Sequence, residues 1–266
     1  MKNWLTIIAT FLLVIFVRIV VTKEQTVLAA LSSGQYREAW LGFKAILPTR
    51  SPPARIVTIP AITLKDCAQG YVDTPLYHTG GWLMRWIQWG KLRALWKLRG
   101  DFTGTCLDFG CGNGVMLPTL AEHFDQVVGF DLHTEAACAL KVDLELDNVE
   151  IRRAPQDYLL PCLPFWDNHF DTVWASSAFE HIEHLYIHLT ELYRVLKPGG
   201  QLLCLSPSED WLYQLGRKLC KLQKPADHYH TGKEIHEALQ QYFTCEVKKT
   251  WPPLLGTYVM GRYRKG

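Results

Sequence analysis

The sequence predicts an α/β fold: a doubly wound, mostly parallel sheet with helices on both faces. Short apolar segments alternate with segments of helical period from residue 101 onward, which is the pattern of strands joined by crossover helices. The first of these strands runs into a glycine-rich loop, LDFGCGNG at Leu107–Gly114, that opens a helix. Ahead of the sheet, the run WLTIIATFLLVIFVRIVV at Trp4–Val21 adds a transmembrane helix to the prediction.

Composition fits this reading. The chain has 266 residues, 48% hydrophobic and 20% charged, which suits a globular core plus one extra apolar element. A formal charge of +2 without a long basic run argues against nucleic-acid binding. The eight cysteines include no CxxC pair, so neither a zinc ribbon nor a disulfide scaffold is expected. Scattered thiols suit a reducing compartment, although their even number leaves disulfides open.

Taken in order, residues 1–22 read as an uncleaved membrane anchor. Trp4–Val21 would give about 27 Å of helix, close to the hydrocarbon thickness of a bilayer, with Arg18 near one end where it can snorkel. The rivals are a secretory signal peptide cleaved after Val27–Ala29 and a buried helix. Arg18, Lys23 and Glu24, lying before that cleavage site, weaken the first rival. Arg18, Lys23 and Arg37 against Lys2 and the terminal amine slightly favour a cytoplasmic main domain, hence a single-pass membrane protein.

Residues 23–100 read as a helical and irregular extension. Two short helices flank Ser32–Gly34, and Thr49–Arg55 is a turn-rich linker. Residues 81–99 place Trp82, Trp86, Trp89 and Trp96 on one helix stripe, with Arg85, Lys91, Arg93, Lys97 and Arg99 around it. Such a helix either packs its tryptophans on the following domain or lies on anionic lipid. Packing is favoured, because Leu83, Ile87, Leu92 and Leu95 spread apolar surface round the helix, while Gly90 weakens it.

Residues 101–266 form the main domain. Strands are expected at 105–110, 126–131, 149–153, 170–175 and 201–206, with helices at 115–124, 134–145 and 188–196 between them. Lys197–Gly200, KPGG, reads as the stop of the last of these helices. A further helix at 233–243 and two closing strands, 244–250 and 256–264, complete the chain.

The chemistry starts at the loop. Gly110, Gly112 and Gly114 follow the first strand, at the carboxyl-end crevice where open α/β sheets bind ligands. Their spacing is GxGxG, so the dinucleotide fingerprint GxGxxG is not met. Asp108 sharpens the point: a carboxylate there would repel a pyrophosphate and favours a cationic ligand. S-adenosylmethionine, with a sulfonium, an ammonium and no phosphate, meets that requirement. Asp131 ends the second strand, where a carboxylate accepts from ribose hydroxyls; the bland alternative is a helix N-cap. Asp157 follows the third strand and is either an adenine contact or a turn residue.

The segments LDFGCGNG, VVGFD, FDTVWASSAFEHI and ELYRVLKPGGQLLCLSPS resemble, in order and spacing, class I S-adenosylmethionine-dependent methyltransferases, most nearly the small-molecule branch that includes the quinone-biosynthesis enzymes. The resemblance covers roughly residues 100–245, and DHYHTGKEIHEAL is similar to a later helix of that branch. It implies a Rossmann-like, seven-stranded sheet with an antiparallel last strand. It implies Asp108 and the loop around the methionine moiety, Asp131 on ribose, Asp157 near adenine, and Ala175 and Ser176 lining the cofactor.

Methyl transfer from a sulfonium needs mainly in-line positioning, and an oxygen acceptor of high pKa needs a base as well. FEHIEHLYIH offers His181 nearest the fourth strand tip as candidate base; pocket lining or a helix start is the competing role. His181, His184 and His188 at i, i+3 and i+7 would share a helix face, read as solvated rather than as a metal site, so no metal is expected. Asp227–His230 is either a flap over the pocket, with His228 or His230 touching substrate, or a loop and cap. The expectation is a membrane-anchored methyltransferase acting on a small-molecule or lipid acceptor. A nicotinamide oxidoreductase and a non-catalytic interaction module are the alternatives.

Overall fold

The computed structural model describes residues 56, 57, 77, 82–155, 162–219 and 227–266. The predicted anchor at 1–22, the two short helices before Thr49 and Asp157 lie outside the described residues. None of the described helices is long and apolar enough to cross a membrane.

A helix, α1 (Trp82–Trp96), precedes the sheet. The order is then β1 (Thr105–Phe109), α2 (Leu117–Ala121), β2 (Gln126–Asp131), α3 (Glu135–Asp143), β3 (Val149–Arg153) and β4 (Phe170–Ser176). A 3-10 turn (Phe179–His181), α4 (Leu185–Val195), β5 (Leu196–Pro207), α5 (Trp211–Leu219), α6 (Gly232–Tyr242), β6 (Thr244–Trp251) and β7 (Tyr258–Arg264) follow. The seven strands form one sheet in the order β3-β2-β1-β4-β5-β7-β6. Pairs among β1 to β5 are parallel, while β7 runs antiparallel to both β5 and β6. The expected sheet, with its reversed final strand, is present.

Strand alternation sorts the core into two layers. Cys106, Val127, Trp174, Leu203 and Leu205 face α1, α2 and α3. Leu107, Phe109, Val128, Val173 and Leu202 face α4 and α6. Apolar residues on both faces are what a parallel sheet covered on both sides demands. α6 is started by a capping box: Thr231 accepts from the Glu234 amide, and the Glu234 carboxylate accepts from the Thr231 amide.

Two tryptophans of the stripe pack inward. Trp89 and Trp96 are buried, and Trp96 lies 5.9 Å from the Trp174 ring centre. Trp86 is 44% exposed yet meets the Trp251 ring, tilted, at 5.3 Å between centres. Gly90 has a reason here, since a Cβ at that position would come within 2.5 Å of Trp251. α1 is thereby seated against β6 and the core.

Several expected boundaries move. α2 is shorter than the expected 115–124, with Pro118 in its first turn setting the start. KPGG does not form a separate turn: α4 ends at Val195, Leu196 already pairs with Phe170, and the strand resumes at Gln201 opposite Thr172 across an irregularity. Lys265 fills the space beneath, its Nζ donating to Asn168 Oδ1 at 2.9 Å and to the Tyr193 and Leu196 carbonyls at 2.7 Å.

Candidate active site

The carboxyl ends of β1, β2, β4 and β5 converge on the glycine loop. Gly110, Gly112 and Gly114 have φ of 73°, 52° and 75°, the left-handed region that side chains resist. Packing adds to the demand. A Cβ on Gly110 would strike Ala178, and one on Gly114 would lie 2.7 Å from Leu117 Cδ1. The glycines therefore serve the close approach of the β4 tip and of α2, besides leaving backbone open to a ligand.

Asp131 fastens the loop. Its Oδ2 accepts from the Gly112 amide at 2.8 Å and its Oδ1 from the His133 amide at 2.9 Å. It is not the N-cap of α3; Thr134 holds that position and makes no side-chain cap bond. A carboxylate oxygen can accept more than one hydrogen bond, as a ribose contact requires.

Asp108 points into the same region from β1 and is 3% exposed. Burial first, and the Asp131 charge second, push its carboxyl up to about 8. The free protein thus holds a largely protonated acid at neutral pH, where the sequence suggested a simple carboxylate. A cation arriving beside it favours the charged form. Asn113, between Gly112 and Gly114, is a residue that sequence reasoning missed. It is 7% exposed, and its Oδ1 is buried with no hydrogen-bond partner among the described residues. Asp108, Asn113 and Asp131 make a set of oxygen acceptors around an open backbone loop. That set fits a ligand rich in donors, an ammonium and ribose hydroxyls, and does not fit a pyrophosphate.

The opposite wall is the β4 tip. Ala175 is buried and Ser176 half-buried. Ser177 follows in a left-handed conformation, φ 56°, and its Oγ accepts from Lys91 Nζ of α1 at 3.4 Å. Next comes the 3-10 turn. His181 Nδ1 lies 2.8 Å from Asp227 Oδ2. The His181 and His228 rings meet edge to face at 4.7 Å. His228 Nδ1 in turn lies 2.7 Å from Glu209 Oε1, and Glu209 also has left-handed backbone, φ 53°. Glu180 is buried beside them, and its carbonyl accepts from the Tyr229 amide at 2.8 Å. The DHYH segment therefore folds over the β4 tip, with His230 turned to the Glu183 carbonyl. His181, His184 and His188 do not share a helix face: His181 ends the 3-10 turn, His184 is the N-cap of α4, and His188 is buried and lies beside Phe109.

Sheet order 3-2-1-4-5-7-6 with a glycine loop after β1 and an acid at the β2 tip defines the class I S-adenosylmethionine-dependent methyltransferase fold. Comparison with known proteins agrees. Residues 107–204 match the methyltransferase domain family, from β1 through most of β5. Over that stretch the chain is similar, at a distance, to ubiquinone and menaquinone methyltransferases. It is 34% identical over 120 residues to a malonyl-[acyl-carrier protein] O-methyltransferase of Erwinia billingiae, covering 45% of each chain. It is 32% identical over 114 residues to a demethylmenaquinone methyltransferase of Oceanobacillus iheyensis, covering 41% of this chain and 46% of that one. The match thus spans about half the length of these curated relatives. Among solved structures, an S-adenosylmethionine-dependent methyltransferase from Aquifex aeolicus superposes with a TM-score of 0.52 at 20% identity, covering 77% of this chain and 98% of that one, which shows the shared fold. The methyl donor implied by the family is S-adenosylmethionine.

Proposed function

We propose that this chain transfers a methyl group from S-adenosylmethionine to a small-molecule acceptor, and that the acceptor is a lipid or other membrane-held molecule. The observation that carries the donor half is the oxygen set formed by Asp108, Asn113 and Asp131 around the loop. Asp131 holds the ribose hydroxyls, and Asp108 with the loop backbone holds the methionine end. Ala175 and Ser176 line the cofactor, and Asp157, outside the described residues, reaches adenine. When bound, S-adenosylmethionine supplies a methyl carbon on a sulfonium, already a strong leaving group. The protein's task is then to place the acceptor in line and to keep water away. For a hydroxyl acceptor, His181 takes the proton on Nε2 while Asp227 fixes the ring through Nδ1.

Two observations support the membrane half. The apolar run at Trp4–Val21 is long enough to span a bilayer, and the flanking Arg18, Lys23 and Arg37 favour a cytoplasmic catalytic domain. The Oceanobacillus relative is named for demethylmenaquinone.

The test is transfer of labelled methyl from S-adenosylmethionine into a membrane lipid extract by the detergent-solubilised full chain. Label should enter the lipid fraction with wild type and fall at least tenfold with Asp131→Ala. Label only in soluble metabolites or protein would overturn the acceptor class. Calorimetric binding of NAD but not S-adenosylmethionine would overturn the reaction, and binding of neither would leave an interaction module.

A further inference from the structure

Glu180, His181 and His228 come together from two separate parts of the chain. Each offers one ligand atom, and these atoms all lie within 4.8 Å of one another. We propose that they bind a divalent first-row transition ion of the zinc class at the carboxyl end of β4. Two histidines and one carboxylate with open positions make a recurrent catalytic metal set.

The surroundings are those of a metal centre. Both histidines are held through Nδ1 by a carboxylate: His181 by Asp227 at 2.8 Å, His228 by Glu209 at 2.7 Å. A ring that donates Nδ1–H to a carboxylate has its tautomer fixed and its Nε2 lone pair left for an ion, as in carboxylate–histidine–metal triads. Glu180 is 1% exposed. A carboxylate that deep is held by paired or coordinating groups, which separates this cluster from an exposed acidic patch. Ligand atoms about 2.1 Å from an ion stand roughly 3.4 Å apart in a tetrahedron. Closing the set from 4.8 Å therefore asks for side-chain adjustment of about 1.4 Å at most. The left-handed backbone at Glu209, φ 53°, is the kind of local strain that clusters at functional sites.

Ion binding stands apart from the methyltransferase reading; its consequence for the acceptor rests on that reading. An ion with three protein ligands keeps a position for an oxygen donor and lowers the pKa of a hydroxyl there. With the ion bound, Nε2 of His181 is a ligand, and the base role assigned above belongs to the ion-free protein.

The experiment titrates Zn²⁺ alone into chelator-treated full-length protein in detergent, with Co²⁺ absorption as a second readout. One ion per chain is expected for wild type. His228→Ala should lose stoichiometric binding, Asp227→Asn should weaken it 10- to 100-fold, and His230→Ala should bind as wild type. S-adenosylmethionine binding by the variants reports folding and is unaffected by failure of the metal proposal. Substoichiometric binding by wild type, or equal binding by wild type and a folded His228→Ala protein, overturns the proposal.

Discussion

Replacing Asp108 by asparagine tests whether the loop's acid is a tolerated cost. Unfolded, its carboxyl ionises near the ordinary aspartate value of about 3.9; folded, burial and then Asp131 push it up to about 8. Between those values the folded state holds a proton that the unfolded state has released. Stability contributed by this group is therefore fully present below about pH 4 and is lost as pH rises toward 8, by about 1.4 kcal/mol per unit at most. By pH 7 the loss reaches at most about 4 kcal/mol. The asparagine side chain has no such titration, while its amide adds a buried donor costing about 1–3 kcal/mol if unmatched. Asp108→Asn is thus expected to be near neutral or destabilising at pH 5 and stabilising by about 1–3 kcal/mol at pH 7.5. Urea unfolding of both proteins at the two pH values reads this as a difference of differences. The comparison cancels buried His236, whose ring burial depresses to about 4 and which costs stability as pH falls below its ordinary value. Calorimetry adds a second readout. S-adenosylmethionine binding to wild type near pH 7 should release a proton, giving a heat that varies with buffer, and the variant should bind more weakly without release. Parallel pH profiles, together with equal proton release, would refute the account of Asp108.

Three further outcomes follow from the packing. Gly90→Ala should destabilise by about 1–2 kcal/mol despite the gain in helix propensity, because the new methyl meets Trp251; in a Trp251→Ala background the same change should become stabilising by up to about 1 kcal/mol, as chemical denaturation would show. Asp131→Asn should lower S-adenosylmethionine affinity by about 10- to 100-fold and speed hydrogen exchange at the Gly112 amide, whose acceptor it weakens. Lys265→Met leaves the Tyr193 and Leu196 carbonyls without their buried donor and should cost about 2–4 kcal/mol, read as a lowered melting temperature with unchanged cofactor affinity.

The strands were legible as short segments bounded by turn residues, β2 as an apolar run and β3 through alternating Val149 and Ile151: both occupy the expected residues. α2 was overestimated because an apolar stretch around Pro118 carries helical period without helical hydrogen bonding throughout. The loop, with the acids at the β1 and β2 tips, could be read from glycine spacing and charge sign. Asn113 could not, since its meaning lies in a buried, unmatched oxygen that no spacing reveals. The same holds for Glu209, which sits 19 residues from His228 and meets it only through tertiary folding. The raised pKa of Asp108 was equally hidden, because it depends on depth and on Asp131 rather than on residue type.

The docking of α1 bears on how this protein can be cut. The family match begins at residue 107, and a designer trimming to it would discard Leu92, Leu95 and Trp96. Those side chains are almost wholly sheltered, and together with Trp174, Leu203 and Leu205 they form one layer of the core. A fragment starting after α1 would open an oily trench across the face of the sheet that also bears Asp108. It would also remove the Lys91 that touches Ser177 at the β4 tip. Such a piece should clump, stick to detergent micelles and bind cofactor poorly, for reasons unrelated to any membrane span. The helix is a buttress for the active site, though it lies upstream of the stretch that the family model matches.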